Sequence, residues 1–352
     1  MKQEPLVSII IPHYKGKEIL EDCFDALKRT TYKNTEIILV DNATCDHSLE
    51  GIAAVYSDVS IVRNEKNLGY AGGCNSGFRR AKGEFVVFLN DDTVVTENWL
   101  QPLVDQCTAD ASVAAVQPKI LSLIQEGYFD YAGGAGGLMD PFGYPFAKGR
   151  IFFTLERDHQ QYDEGSDVFW ASGTAMFVRR TIFAEAGLFD ENFFAHMEEI
   201  DLDWRLHLLG YRVRSVPESV VYHRSGATLK PDSPQKLYLN HRNSLIMLIK
   251  NYAVKSLLWI FPVRIILEMV TLIYALVKRD FKRFNAAAKG MWYVLIHFRQ
   301  ITKKRQHVQK LRKLTDRQIF TKMYRGSIVF EYFVKGIVSV EKLPKQIFQK
   351  SW

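Results

Sequence analysis

Hydrophobic residues in the first hundred positions form short dense runs separated by stretches of helical period. Val7–Pro12 (VSIIIP), Glu36–Val40 (EIILV), Val59–Val62 and Glu84–Leu89 read as strands, with a fifth at Val113–Gln117. Between them, Glu18–Arg29, a segment running to about Tyr56, Ala71–Ala81 and a segment from about Glu97 to Cys107 carry helical spacing. Apolar strands alternating with amphipathic helices predict an α/β chain on a parallel sheet with right-handed crossovers.

From Ile120 to Asp167 the periodicity lapses. Glycine and aromatic residues dominate (YAGGAGGLMDPFGYPF), as expected of a flexible region lying over a site. Pattern returns with Val168–Val178, a helix through Ala186, a helix from about Glu198 to Leu209, and strands at Arg212–Val216 and Val220–His223. The remainder reads as helical, basic and aromatic. A boundary is expected near Arg224–Ser233, dividing a catalytic unit (1–228) from a C-terminal region (229–352).

Charge sharpens that division. The net charge of +7 combines 20 basic and 33 acidic residues over 1–223 with 26 and 6 over 224–352, so the parts carry −13 and +20. A basic segment seeks an anionic surface, nucleic acid or the inner leaflet of a membrane. Its apolar content favours the membrane and argues against nucleic acid. Ser256–Val277 has the length to span a bilayer, but Arg264, Glu268 and Pro262 interrupt it and Lys278, Arg279, Lys282 and Arg283 follow. A helix lying in the interface with basic flanks fits better, and a helix packed on the catalytic unit remains open. Cys23, Cys45, Cys74 and Cys107 form no CxxC, which suits reduced cytosolic thiols. No signal peptide is expected, because the chain enters a strand within a few residues.

The strand ends carry the candidate chemistry. Phe85–Leu89 stops on Asn90-Asp91-Asp92, and carboxylates at a buried strand end need a partner. A divalent cation carrying phosphates would serve, with Asp92 as first ligand and Asn90 or Asp91 supporting it; a polar turn reads the same way. Pro12-His13-Tyr14 and Asp41-Asn42 end the first two strands. Tyr14 could stack on a base, and Asp41 or Asn42 could accept from its N–H or a ribose hydroxyl. Asn64–Asn75 is a glycine-rich loop opening a helix, suited to close approach of an anion. Its glycines at 69, 72 and 73 do not make the dinucleotide fingerprint. Glu198-Glu199-Ile200-Asp201-Leu202-Asp203 places four acids at a helix start, more than the helix dipole asks for. Helical spacing pairs Asp201 with Arg205 as a positioning ion pair and leaves Glu199 as a free base. His223 ends the last strand as a metal or phosphate contact.

As an ordered set, SIIIPHY, ILVDNAT, NLGYAGGCNSG, FVVFLNDDT, WASGTAMFVRR, GLFDENFFAHMEEIDLDWRL and VVYHRSGAT resemble the family-2 glycosyltransferases, particularly the bacterial rhamnosyltransferase-like branch. The resemblance covers roughly residues 5–228. It implies the GT-A nucleotide-diphospho-sugar transferase fold, a Rossmann-like, mainly parallel mixed sheet flanked by helices, here followed by the basic helical region. It also implies a nucleoside-diphosphate sugar donor, a divalent metal (Mg²⁺ or Mn²⁺) and inversion at the anomeric carbon. By position, Asn90-Asp91-Asp92 falls on the metal motif with Asn90 replacing its first carboxylate, so that Asp92 and His223 are the implied ligands and Asp91 lies against the donor. Glu198-Glu199 falls on the family's Glu-Asp pair, whose second member is the base. Pro12, Tyr14, Asp41 and Asn42 match nucleoside contacts, Gly69 and Asn75 the donor-side loop, and Ser172-Gly173 the floor of the sugar and acceptor site. The donor expected by analogy is a deoxythymidine- or uridine-diphosphate sugar, with rhamnose first. The tail points to a polyprenyl-diphosphate-linked saccharide of the cell envelope as acceptor, met on the cytoplasmic face of the plasma membrane. A sugar-nucleotidyltransferase would carry a glycine-rich loop with Arg and Lys near the N-terminus, absent from Leu6–Gly16. A non-catalytic nucleotide-sugar-binding protein would not need the acidic helix.

Overall fold

A computed structural model of the chain describes residues 4–56, 58–225 and 232–344. The chain opens with β1 (Val7–His13), α1 (Lys17–Lys28), β2 (Thr35–Asp41), α2 (Ile52–Val55), β3 (Val59–Arg63), α3 (Gly69–Phe78) and β4 (Phe85–Leu89). The periodicity places these to within a few residues, with α2 the exception. The expected longer helix is cut to four residues because Asp41 and Asp46 accept from the backbone N–H groups of Thr44 and Ser48, giving that stretch turns instead.

Next come β5 (Thr93–Val95), α4 (Leu100–Ala109), β6 (Val113–Ser122) and four short strands, β7 (Gly137–Met139), β8 (Pro145–Ala147), β9 (Arg150–Ile151) and β10 (Thr154–Leu155). These four form their own antiparallel sheet in the order β10-β9-β8-β7, so the glycine-rich region is an ordered cover. β11 (Ser166–Val168), β12 (Ala175–Arg179), α5 (Arg180–Glu185), α6 (Glu198–Leu208) and β13 (Arg212–His223) complete the catalytic layer. The last is one strand, where the sequence suggested two. Its register against β6 shifts between Val216 and Val220, around Pro217, which has no N–H to give the ladder.

The large sheet runs β11-β13-β6-β12-β4-β1-β2-β3, with β5 paired to β13. β3, β2, β1 and β4 are parallel; β12 inserts antiparallel between β4 and β6. Alternation along the strands feeds two cores. Ile9, Ile11, Val87 and Leu89 face α1 and α4 on one side, whereas Ile10, Val86 and Phe88 face α3, α5 and α6 on the other. The chain proceeds from β1 outward to β3 and then returns to β4 on β1's other side. That reversal opens a crevice at the carboxyl ends of β1 and β4, where ligands of such sheets bind.

Among the described residues six helices follow: α7 (Pro234–Asn251), α8 (Val254–Val277), α9 (Phe281–Ile296), α10 (Phe298–Leu311), α11 (Asp316–Phe320) and α12 (Ile328–Phe333). The expected boundary falls largely on residues 226–231, outside the described residues. Directly beyond it, α7 buries Leu245, Met247 and Leu248 in one cluster with Phe169, Trp170 and Trp204 of the catalytic layer. Lys250 and Asn251 of α7 bond Asp201 at 2.9 Å each. The helix is thus part of the unit that carries the site.

The 24 residues of α8 have the length and apolar composition to cross a membrane. Lys255 is exposed in its first turn, whereas its two mid-helix charges point inward. Arg264 bonds Glu268 at 3.1 Å and Glu268 takes a further bond from His241 at 2.7 Å, both charges being fully buried. Outward, Leu258, Ile266, Val270, Ile273 and Val277 form an exposed stripe, joined by Trp292, Leu295 and Ile296 of α9.

Candidate active site

The crevice is a cleft of about 600 Å³ walled by the β1 and β4 ends, the α6 N-terminus, the small sheet and the start of α7. His13 closes the switch point. Its Nδ1 lies 2.6 Å from Asp91 and its Nε2 2.7 Å from Ser48. Burial pushes the Asp91 carboxyl above its usual range, against the pull of His13.

Pairing of β5 with β13 sets His223 opposite Thr93, and so beside Asp92 across 131 positions of chain. His223 Nε2 lies 3.0 Å from Asp92 and 3.2 Å from Asn90, while its Nδ1 lies 2.8 Å from Asp130. Burial works against a charged imidazole here, but Asp92 and Asp130 outweigh it and hold His223 up at about 10. A carboxylate orienting the far nitrogen of a histidine is the arrangement that supports a metal-ligating imidazole. Asp130 was not anticipated; it sits in the glycine-rich segment, where no strand-end signal marked it.

On the facing wall, α6 begins at Glu198. The backbone before it is held in positive φ at Phe194, His196 and Met197 (65°, 67° and 72°), a conformation non-glycine residues adopt at a cost. Asn243 of α7 sustains it, donating to the carbonyls of Phe193, Ala195 and His196 at 3.0, 3.0 and 2.7 Å. Glu198 and Glu199 each keep one buried oxygen without a hydrogen-bond partner. Burial raises both carboxyls. Glu199 stands at about 7, and Glu198 well above its ordinary value because the Glu199 charge adds to burial. Near neutrality the pair therefore ionises at Glu199 first.

Of the sequence-predicted residues, Pro12, Tyr14, Asn42, Gly69, Asn90, Asp91, Asp92, Ser172, Gly173, Glu198, Glu199 and His223 all line this one cleft. Three do not. Asp201 is fully buried and spent on Arg205 (3.1 Å), Lys250 and Asn251, which locks α6 to α7 and takes no part at the cleft surface. Asp41 accepts from Thr44 N–H at 2.9 Å and faces Arg63 at 3.7 Å. Asn75 is buried and braces the Phe189 backbone and Glu191. Asn42 lines the cleft as a brace too, since its amide engages Asn64, Asn67, Leu68 and Gly69. Gly69 has φ 69°, and a Cβ there would stand 2.2 Å from the Phe194 carbonyl oxygen. Only glycine lets the donor-side loop meet the α6 wall.

The model of the glycosyl transferase family 2 matches residues 8–185. The O-antigen biosynthesis protein RfbC of Myxococcus xanthus is 29% identical over 238 residues, covering 65% of this chain and 18% of that protein. Glycosyltransferase GlyG of Streptococcus pneumoniae serotype 4 is 25% identical over 236 residues (64% and 74%). The N-acetylglucosaminyl-diphospho-decaprenol L-rhamnosyltransferase of Mycobacterium tuberculosis is 24% identical over 268 residues (69% and 84%). The chain thus spans under a fifth of the first relative and most of the other two. Among solved structures, GalNAc-T7 with UDP, GalNAc and Mn²⁺ superposes with TM-score 0.51 at 20% identity, covering 62% of this chain and 43% of that one. Staphylococcus aureus TarS 1–349 with UDP-GlcNAc gives TM-score 0.50 at 15% identity (71% and 68%). These likenesses establish the fold, GT-A.

Proposed function

The chain belongs to glycosyl transferase family 2 and is a glycosyltransferase, and from that premise we propose that it moves a sugar, rhamnose first, with inversion, from a deoxythymidine- or uridine-diphosphate donor to a saccharide carried on a polyprenyl diphosphate. The observation that carries the reading is the cleft itself, with Asp92 and His223 on one wall and Glu198-Glu199 on the other.

The residues present fit a divalent cation. Among the described residues no three His, Cys, Asp or Glu side chains converge as a complete metal cage. Asp92 would offer a carboxylate and His223, once a cation displaces the Nε2 proton it shares with Asp92, an imidazole, and the donor's phosphate oxygens would complete the shell, the usual manner in which Mg²⁺ or Mn²⁺ joins an enzyme to a phosphorylated substrate. When bound, such a cation supplies charge neutralisation at the departing diphosphate. Asp130 keeps the His223 ring oriented for that duty.

The chain's own residues do the rest. Pro12, Tyr14 and the loop braced by Asn42 bound the nucleoside end of the cleft. Tyr70 donates to the Gly173 carbonyl and fixes the floor beside Ser172. Glu199 takes the proton of the acceptor hydroxyl as its oxygen bonds to the sugar C1 and the C1–diphosphate bond breaks. With a proton affinity near neutrality it can accept that proton at physiological pH. Glu198, held protonated, keeps the charge on its neighbour.

The apolar stripe of α8 and α9, with Lys278 and Arg279 between them and Lys282 and Arg283 in the first turn of α9, supports docking on the cytoplasmic face of a membrane, helix axis in the interface. Incubation with Mn²⁺ or Mg²⁺, a panel of nucleotide sugars and a lipid-diphosphate saccharide tests the whole reading. Nucleoside diphosphate release coupled to sugar transfer is expected; pyrophosphate release, or binding without turnover, would overturn it.

A further inference from the structure

Two cations lining the cleft, Arg150 and Lys236, have no carboxylate partner among the described residues. Of the others, Lys15 is exposed to solvent, and Arg264 and His241 are both bound to Glu268. Arg150 is 8% exposed, yet its buried Nε has no hydrogen-bond partner. Its position is fixed by a tight hairpin in which Ala147 pairs with Arg150 and Gly149 turns the chain at φ 92°. The Arg150 guanidinium and the Lys236 ammonium rest on one ring, 4.5 and 4.9 Å from the centroid of Tyr131. Lys236 lies in the first turn of α7, whose N-terminus therefore adds its dipole to the same space. The neighbouring His196 is kept neutral by burial and by Lys236, and its buried Nε2 is also unpartnered.

Partly buried, unpaired cations on a rigid hairpin and a helix start are arranged for an anion with several oxygens. The donor diphosphate has its place at Asp92 and His223, whereas His196 puts this cluster two residues from the Glu198-Glu199 wall where the acceptor must approach. An aromatic track leads away from it. Phe152, whose carbonyl accepts from Arg150, has ring neighbours at Tyr144 (6.4 Å) and Phe153 (6.5 Å). Phe153 is exposed and lies under Arg283 in the first turn of α9, the turn that also carries exposed Phe281.

We propose that Arg150 and Lys236 grip the diphosphate of the acceptor, and that Tyr144, Phe152 and Phe153 lead its isoprenoid chain out to the apolar face of α8 and α9. This rests on the reading of the acceptor as a lipid diphosphate. Arg150, from the cover sheet, and Lys236, from the C-terminal helices, make acceptor recognition depend on both parts of the chain.

Farnesyl diphosphate titrated into the full-length protein, followed by tryptophan fluorescence, tests the subsite without any need for turnover. Arg150→Ala and Lys236→Ala should each weaken binding about tenfold, the cost of one charge-assisted contact. Their affinity for UDP and deoxythymidine diphosphate should stay within about twofold, which also reports that the variants are folded. Farnesol should bind variants and parent alike. Unchanged farnesyl diphosphate affinity in both variants overturns the proposal. So does a loss that falls on the nucleoside diphosphates, which would assign both cations to the donor. Binding that depends on Arg150 in a protein that transfers no sugar to any lipid diphosphate would retain the subsite and refute the acceptor reading instead.

Discussion

As the proposed base, Glu199 meets two conflicting demands, since a base must be ionised and a buried carboxyl resists ionisation. Its raised proton affinity predicts a kcat/KM that climbs as pH rises through about 7, measured from pH 5 to 9; a flat profile would remove Glu199 as base. Glu199→Gln should lower kcat about 10²–10⁴-fold while nucleoside diphosphate affinity holds. The same variant carries a stability signature. A carboxyl whose folded value is raised from 4.5 to about 7 favours the fold at acid pH, and that contribution is lost as pH rises through this window. Glu199→Gln should therefore melt several degrees higher than the parent at pH 8 and at the same temperature at pH 4. At the other wall, Asp130→Asn should weaken the apparent affinity for Mn²⁺ about 10–100-fold, because the His223 ring loses the group that orients it. Turnover titrated with Mn²⁺ reads this directly, and an unchanged midpoint would count against the assigned metal pair. Asp92 and Glu199 could be picked from strand-end and helix-start patterns. Asp130 could not, because its role exists only through a contact with a residue 93 positions away.

The loop into α6 is the element under most strain, with three non-glycine residues at positive φ immediately before the two glutamates. Asn243 satisfies three of its carbonyls from a helix outside the expected catalytic unit. Asn243→Ala should cost about 1–3 kcal/mol of stability, since the Ala195 and His196 carbonyls lose the donor that Asn243 gives them. It should also lower kcat more than it changes donor affinity, because Glu199 follows directly on the braced loop while the donor-side loop meets it only at Phe194. Denaturant melts and steady-state kinetics on one preparation separate the two effects. Element types in the first hundred residues were legible because fully buried strands and amphipathic helices leave dense, periodic signals. The small cover sheet was not. Its strands are two or three residues long and punctuated by glycines, and its register comes from the hairpins rather than from any hydrophobic period.

For the molecule as a whole, the proposed membrane contact rests on the exposed apolar stripe of α8 and α9. Replacing Leu258, Ile266 and Ile273 on α8 with Ser should abolish flotation with anionic vesicles and leave the melting temperature unchanged, as all three are exposed. Each such side chain contributes about 1.5–3 kcal/mol when buried, so the triple change should cut partitioning by more than about a hundredfold. Persistent flotation would move the membrane contact elsewhere. Deletion after Ser233, which the composition invites, should instead unfold the catalytic unit by stripping α7 from its core. By itself the sequence determined the layer order, the strand ends that line the cleft, the acidic helix start and the charge division between the two parts of the chain. All of these follow from local periodicity and from the cost of placing charge at the end of a buried strand. Only the tertiary structure decided that His223 serves Asp92 and that Asp201 is a bolt between helices. The same holds for the inward turn of Arg264 and Glu268, which leaves α8 an apolar outer face beyond Lys255 in its first turn, and for the meeting of Arg150 and Lys236 over one tyrosine ring. Those depend on strand register and helix rotation, which contacts between distant segments fix and which no local pattern encodes.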